Sequence, residues 1–268
     1  MNRRVPYNQV LDIYLPPFPS ESITSWIVRL ARANAIGLHE FGSRVYGVTA
    51  HSTTASDLDV LKNKQFLLGL CRVTGRRLEE IELASLAAWE WLLSAESPGR
   101  RWLLAPSRVP GGARQGQWTH ACFSCLAQDD KPFFRVYWRF AFVTECMVHH
   151  APLHDVCPRC SGSLDYPRMD RGSILAKRLL PLSVCPHCSV DWRIYGQRTQ
   201  TSNPMLYAMQ RRLLKGLSTR WVTEKNGMVL ASLALDGVHR LAKCFRTEVG
   251  SRVAARLIGE PVHAQSGE

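Results

Sequence analysis

Residues 146–160 read CMVHHAPLHDVCPRC, and a cysteine pair stands on either side of them, Cys122-Phe-Ser-Cys125 before and Cys185-Pro-His-Cys188 after. In each pair two residues separate the ligands, a spacing that lets a tight turn direct both side chains at one ion. Seven of the nine cysteines in this 268-residue chain fall between residues 122 and 188. This pattern predicts two closed zinc sites, with the ligands Cys122, Cys125, Cys146, His149, Cys157, Cys160, Cys185 and Cys188.

Two ways of sharing these ligands are open. A sequential arrangement gives the first four ligands to one ion and the last four to the other. A cross-braced arrangement joins the first pair to the third. We favour the sequential one, because its two spans are similar and only seven residues separate His149 from Cys157. His150 is an alternative to His149 as the nitrogen ligand.

Other uses of clustered cysteines fit less well. A disulfide framework needs an oxidising compartment, and residues 1–19 contain no apolar run followed by a small-residue cleavage site. An iron–sulfur cluster favours four cysteines, which the Cys146/His149 pair does not supply. Catalytic zinc keeps an open coordination position with a general base nearby, and neither the deaminase signature nor His-Glu-x-x-His is present.

Composition predicts a soluble, cytoplasmic protein with a polyanionic partner. Hydrophobic residues make up 46% of the chain, and no stretch approaches the roughly 20 apolar residues that span a membrane. The net charge is +12, which is typical of nucleic-acid binding but also aids solubility. Residues 196–268 carry 11 basic and 5 acidic residues, half of the excess. Candidate nucleic-acid contacts there are Arg211, Arg212, Lys215 and Arg220, although such a run can be only a solvated helix face.

Periodicity and turn residues predict a mainly α protein with small zinc modules. Residues 1–110 form a helical domain, 111–195 hold tandem zinc knuckles or ribbons, and 196–268 form a basic helical segment around 204–217 and 229–245. A first helix follows a cap at Ser20 and stops near Gly37. A second runs from Leu38 to Gly47, a third follows a cap at Asp57 and stops at Thr74-Gly75, and a fourth begins at Leu78. The first and second helices form one pair and the third and fourth another, and each pair is either a helix-turn-helix unit or an ordinary αα-hairpin.

Two segments flank the first ligand pair. Residues 97–117, rich in Pro, Gly and Arg, predict a linker or an ordered connection. Residues 133–143 are strongly aromatic and are expected to pack beside the metal, since small zinc modules need extra apolar mass. A base-stacking platform is the alternative role of these aromatic residues.

The motifs together resemble the TniQ/TnsD family of transposition target-selection proteins. The N-terminal motif PPFPSESITSWIVRLA carries Pro17, Glu21, Ser22, Trp26, Arg29 and Leu30. Later come Trp138-Arg139, Cys146, His149, Leu153, Cys157 and Cys160 in the family's order. The resemblance covers roughly residues 14–195. Phe123 stands where the family often has proline, and Met147 and Val148 separate Cys146 from His149; neither difference removes a ligand.

The resemblance implies a non-catalytic adaptor. Such proteins link a target, either a DNA site or an RNA-guided CRISPR effector complex, to an AAA+ ATPase regulator that recruits the transposase. A homodimer is a further open possibility. The chain shows no phosphate-binding loop and no Gly-x-Ser-x-Gly motif, and Asp129-Asp130 lack a third acidic residue with an obvious motif. The alternatives are a zinc-containing, sequence-specific DNA-binding regulator and, from another class, a metal-dependent hydrolase.

The N-terminal segment is the expected ATPase contact. Its extended strip, Tyr14 to Phe18, with Trp26 nearby, offers aromatic side chains of the kind that dominate compact interfaces. The alternative is that the strip packs on its own domain.

Overall fold

The chain divides into two compact units, residues 1–203 and 204–268. The computed structural model describes residues 10–46, 59, 64–82, 92, 103–104, 119–164, 181–196, 203–224 and 227–244. This part of the chain is rich in helix and contains two cysteine-rich groups. Both features agree with the predicted fold class. The predicted domain boundary at residue 110 and the tandem-knuckle description stay predictions.

Helix α1, Ile23–Ala33, is deeply buried in the first unit, with eight of its 11 residues buried. The hydroxyl of Ser22 caps it by accepting a hydrogen bond from the Ser25 N–H at 3.2 Å. The predicted cap at Ser20 is wrong, because Ser20 adopts a left-handed φ of 62° before the helix begins. The helix ends at Ala33, ahead of Gly37, because the side-chain amide of Asn34 donates to the Leu30 carbonyl at 2.8 Å and closes the last turn.

In the described ranges up to residue 82, α1 is followed by helices α2 (Leu38–Tyr46), α3 (Lys64–Thr74) and α4 (Leu78–Glu82). Helices α2 and α3 pack closely at Gly69, where any Cβ would collide with the Val45 backbone. Helix α3 stops at Gly75, whose φ is 67°, as predicted. The predicted cap at Asp57 lies outside the described residues. Whether either helix pair acts as a helix-turn-helix unit stays a prediction.

The described residues around the ligand pairs, 119–164 and 181–196, have little regular structure. It contains helix α5, Phe123–Gln128, and two 3₁₀ helices, Val136–Arg139 and Trp192–Tyr195. Phe134, Trp138 and Phe140 are fully buried, which confirms core packing and leaves these rings unable to stack on bases. Within residues 97–117, Leu103 is buried and its carbonyl accepts a hydrogen bond from the Ala141 N–H at 2.6 Å. At Leu103, therefore, the structure agrees with an ordered connection.

The described part of the second unit, residues 204–224 and 227–244, contains helix α6 (Pro204–Thr219), strands β1 (Trp221–Glu224) and β2 (Gly227–Leu230), and helix α7 (Ala231–Cys244). The strands pair antiparallel, with Trp221 opposite Leu230 and Thr223 opposite Met228. The sequence predicted the two helices but not the hairpin, and it assigned Val229 to a helix. A Cβ at Gly216 of α6 would lie 2.5 Å from Val222, so the missing side chain lets β1 approach the helix.

Among the described helices, none combines the length and the apolar character that crossing a membrane requires.

Candidate metal centre

The first group of ligands converges within the first unit. Donor atoms of Cys122, Cys125, Cys146 and His149 all lie within 4.8 Å of one another. His149 Nδ1 lies 3.3 Å from Cys125 Sγ and 3.5 Å from Cys122 Sγ, and the sulfurs of Cys125 and Cys146 are 3.5 Å apart. Four ligands around a zinc ion, with Zn–S bonds of about 2.3 Å, are separated by about 3.6–3.8 Å. The group therefore has the size and donor set of a closed zinc site.

Cys122 and Cys125 are placed by the start of helix α5 and not by a simple turn. Cys122 is the N-cap residue, and its sulfur accepts a hydrogen bond from the Cys125 N–H at 3.4 Å. A cap residue and the residue three positions later lie on one side of the first turn. The helix start therefore sets both sulfurs at one point.

Cys146 and His149 lie on a tight backbone turn. The Cys146 sulfur accepts from the N–H groups of Val148 and His149, both at 3.4 Å. The chain reverses at His150, whose φ is 50° and whose N–H donates to the Cys146 carbonyl at 3.0 Å. This conformation directs His149 to the cluster and leaves His150 outside it and exposed.

Gln128 is a residue of the site that sequence reasoning missed. Its Oε1 lies 2.7 Å from His149 Nε2. An Nε2–H that donates to Gln128 leaves Nδ1 with a free lone pair for a metal, which is the usual arrangement around ligating histidines. The signal in the sequence was its position, three residues after Cys125 on the same helix.

The second group contains two further copies of the backbone turn that follows Cys146 in the first group. Cys157 and Cys185 each donate a backbone N–H to a carbonyl five residues later, and Ser161 and Ser189 each have a positive φ and donate back to the cysteine carbonyl. Sulfur–sulfur distances are 3.7 Å for Cys157–Cys188 and 3.8 Å for Cys160–Cys185. The structure thus groups the eight residues in the sequential arrangement and not the cross-braced one.

The close spacing of the thiols in the first group favours binding of a cation. Hydrogen bonds from Cys122 and Cys125 hold the pKa of the Cys146 thiol far below its ordinary value. A hydrogen bond with Cys125 lowers the pKa of Cys122, but the neighbouring Cys146 thiolate and burial together outweigh it and raise that pKa to about 11. Thiols this close cannot all ionise unless a cation offsets their charge, so metal binding must displace protons.

The two groups differ in exposure. In the first, all three cysteines are buried, whereas in the second Cys160 is exposed and Cys188 is half-buried. The imidazole of His187 lies over Gly162 beside Cys160, where a Cβ at Gly162 would approach the ring to 2.5 Å. The His187 ring therefore lies close to the exposed Cys160 sulfur of the second group.

Phe123 joins the two metal-bearing segments. Its ring stacks on His154, with centroids 4.2 Å apart, and faces Trp192 at 5.9 Å. Burial lowers the pKa of His154, with a smaller opposing effect from Asp155, so the stacked ring is neutral. Trp192 belongs to the 3₁₀ helix that follows the last ligand pair. The residue that departs from the family pattern is thus a core contact.

The N-terminal motif forms a buried network against the segment between the first two ligand pairs. Glu21 and Arg29 make a bidentate ion pair at 2.6 and 2.8 Å, and Glu21 also accepts from the Ser25 hydroxyl at 2.8 Å. The Arg29 guanidinium covers the Phe18 ring at 3.9 Å. The Ser25 hydroxyl in turn accepts from the Phe134 N–H at 3.0 Å. The motif therefore ties α1 to the metal-bearing region.

A second buried ion pair involves the Trp138-Arg139 motif. Arg139 Nε lies 3.4 Å from Asp59 Oδ2, and both side chains are buried. Asp59 also accepts from the Thr24 N–H in the first turn of α1 at 3.0 Å. Arg139 therefore connects the second motif to the same helix.

The remaining candidate residues occupy different settings. Asp129 pairs with Arg135 through two hydrogen bonds of 2.9 and 3.1 Å, so its carboxylate is engaged. Arg211, Arg212 and Lys215 are exposed on α6, and Arg220 is exposed between α6 and β1. All four cations are thus exposed on the last part of α6 or directly after it, and their contact with nucleic acid stays a prediction.

Comparison with curated proteins finds no match. Comparison with family models finds the TniQ family over residues 13–153. This range holds the Glu21–Arg29 network and the complete first ligand group, while the second group lies beyond it. Because the match covers more than half of the 268 residues, the chain belongs to the TniQ family, which is associated with target selection in transposition.

Proposed function

We propose that this protein is a non-catalytic adaptor that links a transposition target to an AAA+ ATPase regulator and, through it, to the transposase. Family membership supports the proposal most directly. The closed ligand groups support it as well, because four converging protein donors suit a structural ion more than a catalytic one. The target is either a DNA site or an RNA-guided CRISPR effector complex, and the site of action is the cytoplasm.

The metal in both groups is proposed to be zinc. Three cysteines with one histidine, and four cysteines, are both common donor sets of structural zinc. Purified protein should contain about two zinc ions per chain. Cys157→Ser should impair folding more than His150→Ala, because only Cys157 belongs to a ligand group. One zinc per chain, or iron with visible absorption, would contradict this assignment.

The structure changes the proposed ATPase contact. Trp26 is only 1% exposed, and its indole N–H donates to the Leu15 carbonyl at 2.7 Å, so the expected contribution of Trp26 is wrong. The strip from Tyr14 to Phe18 is largely half-buried on its own unit. Val10 and Ile13, just before it, are 58% and 46% exposed. These two side chains are the N-terminal apolar contacts we now propose.

A pull-down with the AAA+ ATPase encoded beside this gene tests the adaptor. Val10→Glu combined with Ile13→Glu should abolish retention, because a buried, unpaired charge opposes an apolar contact. Ile194→Glu, at a similarly exposed position elsewhere, is the matched control and should bind normally. Absence of binding by the intact chain, with nucleotide and DNA present, would reject the adaptor.

The DNA-binding regulator remains the second candidate because of the exposed cations on and directly after α6. It predicts tight binding to one DNA sequence without the ATPase. Selection from a randomised duplex library separates the two functions, since an adaptor bound to an RNA-guided complex needs no sequence preference of its own.

A further inference from the structure

The outer face of the hairpin in the second unit is apolar and exposed. Directly opposed residues of an antiparallel pair project to the same side, as do residues two apart on one strand. Trp221, Thr223, Met228 and Leu230 therefore share one face. Trp221 is 44% and Met228 62% exposed, whereas Val222, on the other face, is buried. Trp221 therefore presents an exposed aromatic ring at the end of the hairpin remote from its turn, where a partner can reach it.

Cations border this face. At about 100° per residue, Arg211, Arg212, Lys215 and Thr219 fall within an arc of about 100° on α6, opposite the buried Leu213 and Leu217. Arg212 Nη1 lies 3.5 Å from the Thr223 carbonyl oxygen, and the Thr219 hydroxyl donates to the Trp221 carbonyl at 2.8 Å. These contacts place the basic side of α6 along β1.

Arg220 adds a further cation directly before the tryptophan. Its φ of 65° turns the chain between α6 and β1, and its side chain is exposed. We propose that this aromatic–basic surface, Arg212, Lys215, Arg220, Trp221 and Met228, binds single-stranded nucleic acid. Trp221 stacks on an unpaired base while the cations contact phosphates.

The combination of groups favours a single strand over other partners. Every unpaired base offers a π face to an aromatic side chain, and a basic border follows the backbone. Bases of an intact duplex are already stacked on one another, so a duplex would contact the cations through its phosphates and would not stack on Trp221. A second copy of this chain would set like charges against one another. The inference rests on the nucleic-acid contact proposed for the second unit but not on ATPase binding.

Fluorescence anisotropy of the intact, zinc-loaded chain tests the surface. The probes are labelled oligo(dT) and oligo(U) of about 20 nucleotides and a duplex of the same length. Trp221→Ala should weaken binding of both single strands about tenfold and change duplex binding less than about twofold. Trp221→Phe should keep most of the affinity, because a phenyl ring still stacks. A preference for oligo(U) over oligo(dT) would identify RNA as the strand.

Met205→Ala is the matched control, since Met205 is 83% exposed in the same unit but outside the hairpin; it should bind like the unchanged protein. Circular dichroism confirms that each variant is folded. Equal losses on single strand and duplex, or no loss with Trp221→Ala, would overturn the stacking role. Concentration-dependent dimerisation that Trp221→Ala abolishes, without any strand binding, would assign the face to self-association. The ATPase pull-down is independent of each of these outcomes.

Discussion

Gln128 Oε1 lies 2.7 Å from His149 Nε2, on the side of the imidazole opposite the three cysteines. This hydrogen bond fixes the tautomer that presents Nδ1 to the metal. Gln128→Ala should weaken metal binding at the first group about 10–100-fold. Competition with a chromophoric chelator measures the change.

Asp130→Ala is a suitable control for Gln128→Ala, because Asp130 is also exposed and close in sequence but belongs to neither ligand group. Binding at the second group should be unchanged in both variants. Equal metal affinities of Gln128→Ala and Asp130→Ala would show that Gln128 does not position His149.

The Glu21–Arg29 pair should be important for stability. Removing one partner leaves the other charge buried, which costs about 3–5 kcal/mol. Arg29→Ala should therefore lower the free energy of unfolding by about this amount, measured in urea on zinc-loaded protein. Arg77→Ala breaks the exposed Arg77–Glu80 pair at the start of α4 and should cost below about 1 kcal/mol. Similar losses for the two variants would contradict a special role of the buried pair.

The sequence was most informative where chemistry fixes the spacing of residues. Paired cysteines must lie within reach of one ion, so Cys122 and Cys185 could be recognised as ligands from the chain alone. Helix α1 was visible because its apolar residues recur at helical spacing. Its start was misplaced, since both Ser20 and Ser22 suit an N-cap and only the contact of Ser22 with Ser25 separates them.

Other features depend on contacts distant in sequence. Arg139 pairs with Asp59 across 80 positions of the chain, and no local pattern indicates such a partner. The β1–β2 hairpin was missed because Val229 and Leu230 continue into the apolar pattern of α7. Trp26 looked like an interface residue, but burial in its own unit cannot be read from residue type alone.

Phe123 provides a test of the link between the two metal-bearing segments. Phe123→Ala should cost about 3–5 kcal/mol, the usual loss for a buried phenyl ring. Phe123→Pro introduces the residue common in the family at the first position of α5, where proline is tolerated, and should cost a similar amount through the lost ring. Phe123→Leu, which keeps most of the apolar volume, is the control. Urea unfolding measures all three, and no loss with Phe123→Ala would contradict the packing role.

Acid and chelators should remove the two metals in order. The pKa of Cys122 is raised to about 11, so the metal must displace protons, and its apparent affinity should fall about tenfold per pH unit for each proton displaced as the pH is lowered. The second group, with Cys160 exposed and Cys188 half-buried, should lose its metal first to a chelator. Native mass spectrometry should show one-metal protein as an intermediate.

Alkylation identifies which metal leaves first. Iodoacetamide added at the one-metal stage should modify Cys160 before Cys122, as read by peptide mapping. His187→Ala removes the ring beside Cys160 and should speed this step, whereas His150→Ala, at an exposed position outside the ligand groups, should not. Modification of Cys122 first, or loss of both metals in one step, would contradict the proposed difference in accessibility.

The basic side of α6 should give salt-sensitive nucleic-acid binding. Each phosphate contact adds about one to the slope of log affinity against log salt, so Arg211→Gln should reduce the slope by about 1 and weaken binding similarly for all sequences. Arg159→Gln removes an exposed cation from the first unit and should leave the slope unchanged. Because residues 196–268 hold +6 of the +12 net charge, deleting them should remove most duplex binding. If the shortened chain binds duplex DNA as tightly as the intact one at every salt concentration, the phosphate contacts lie in the first unit, and the helix pair α1–α2 becomes the candidate.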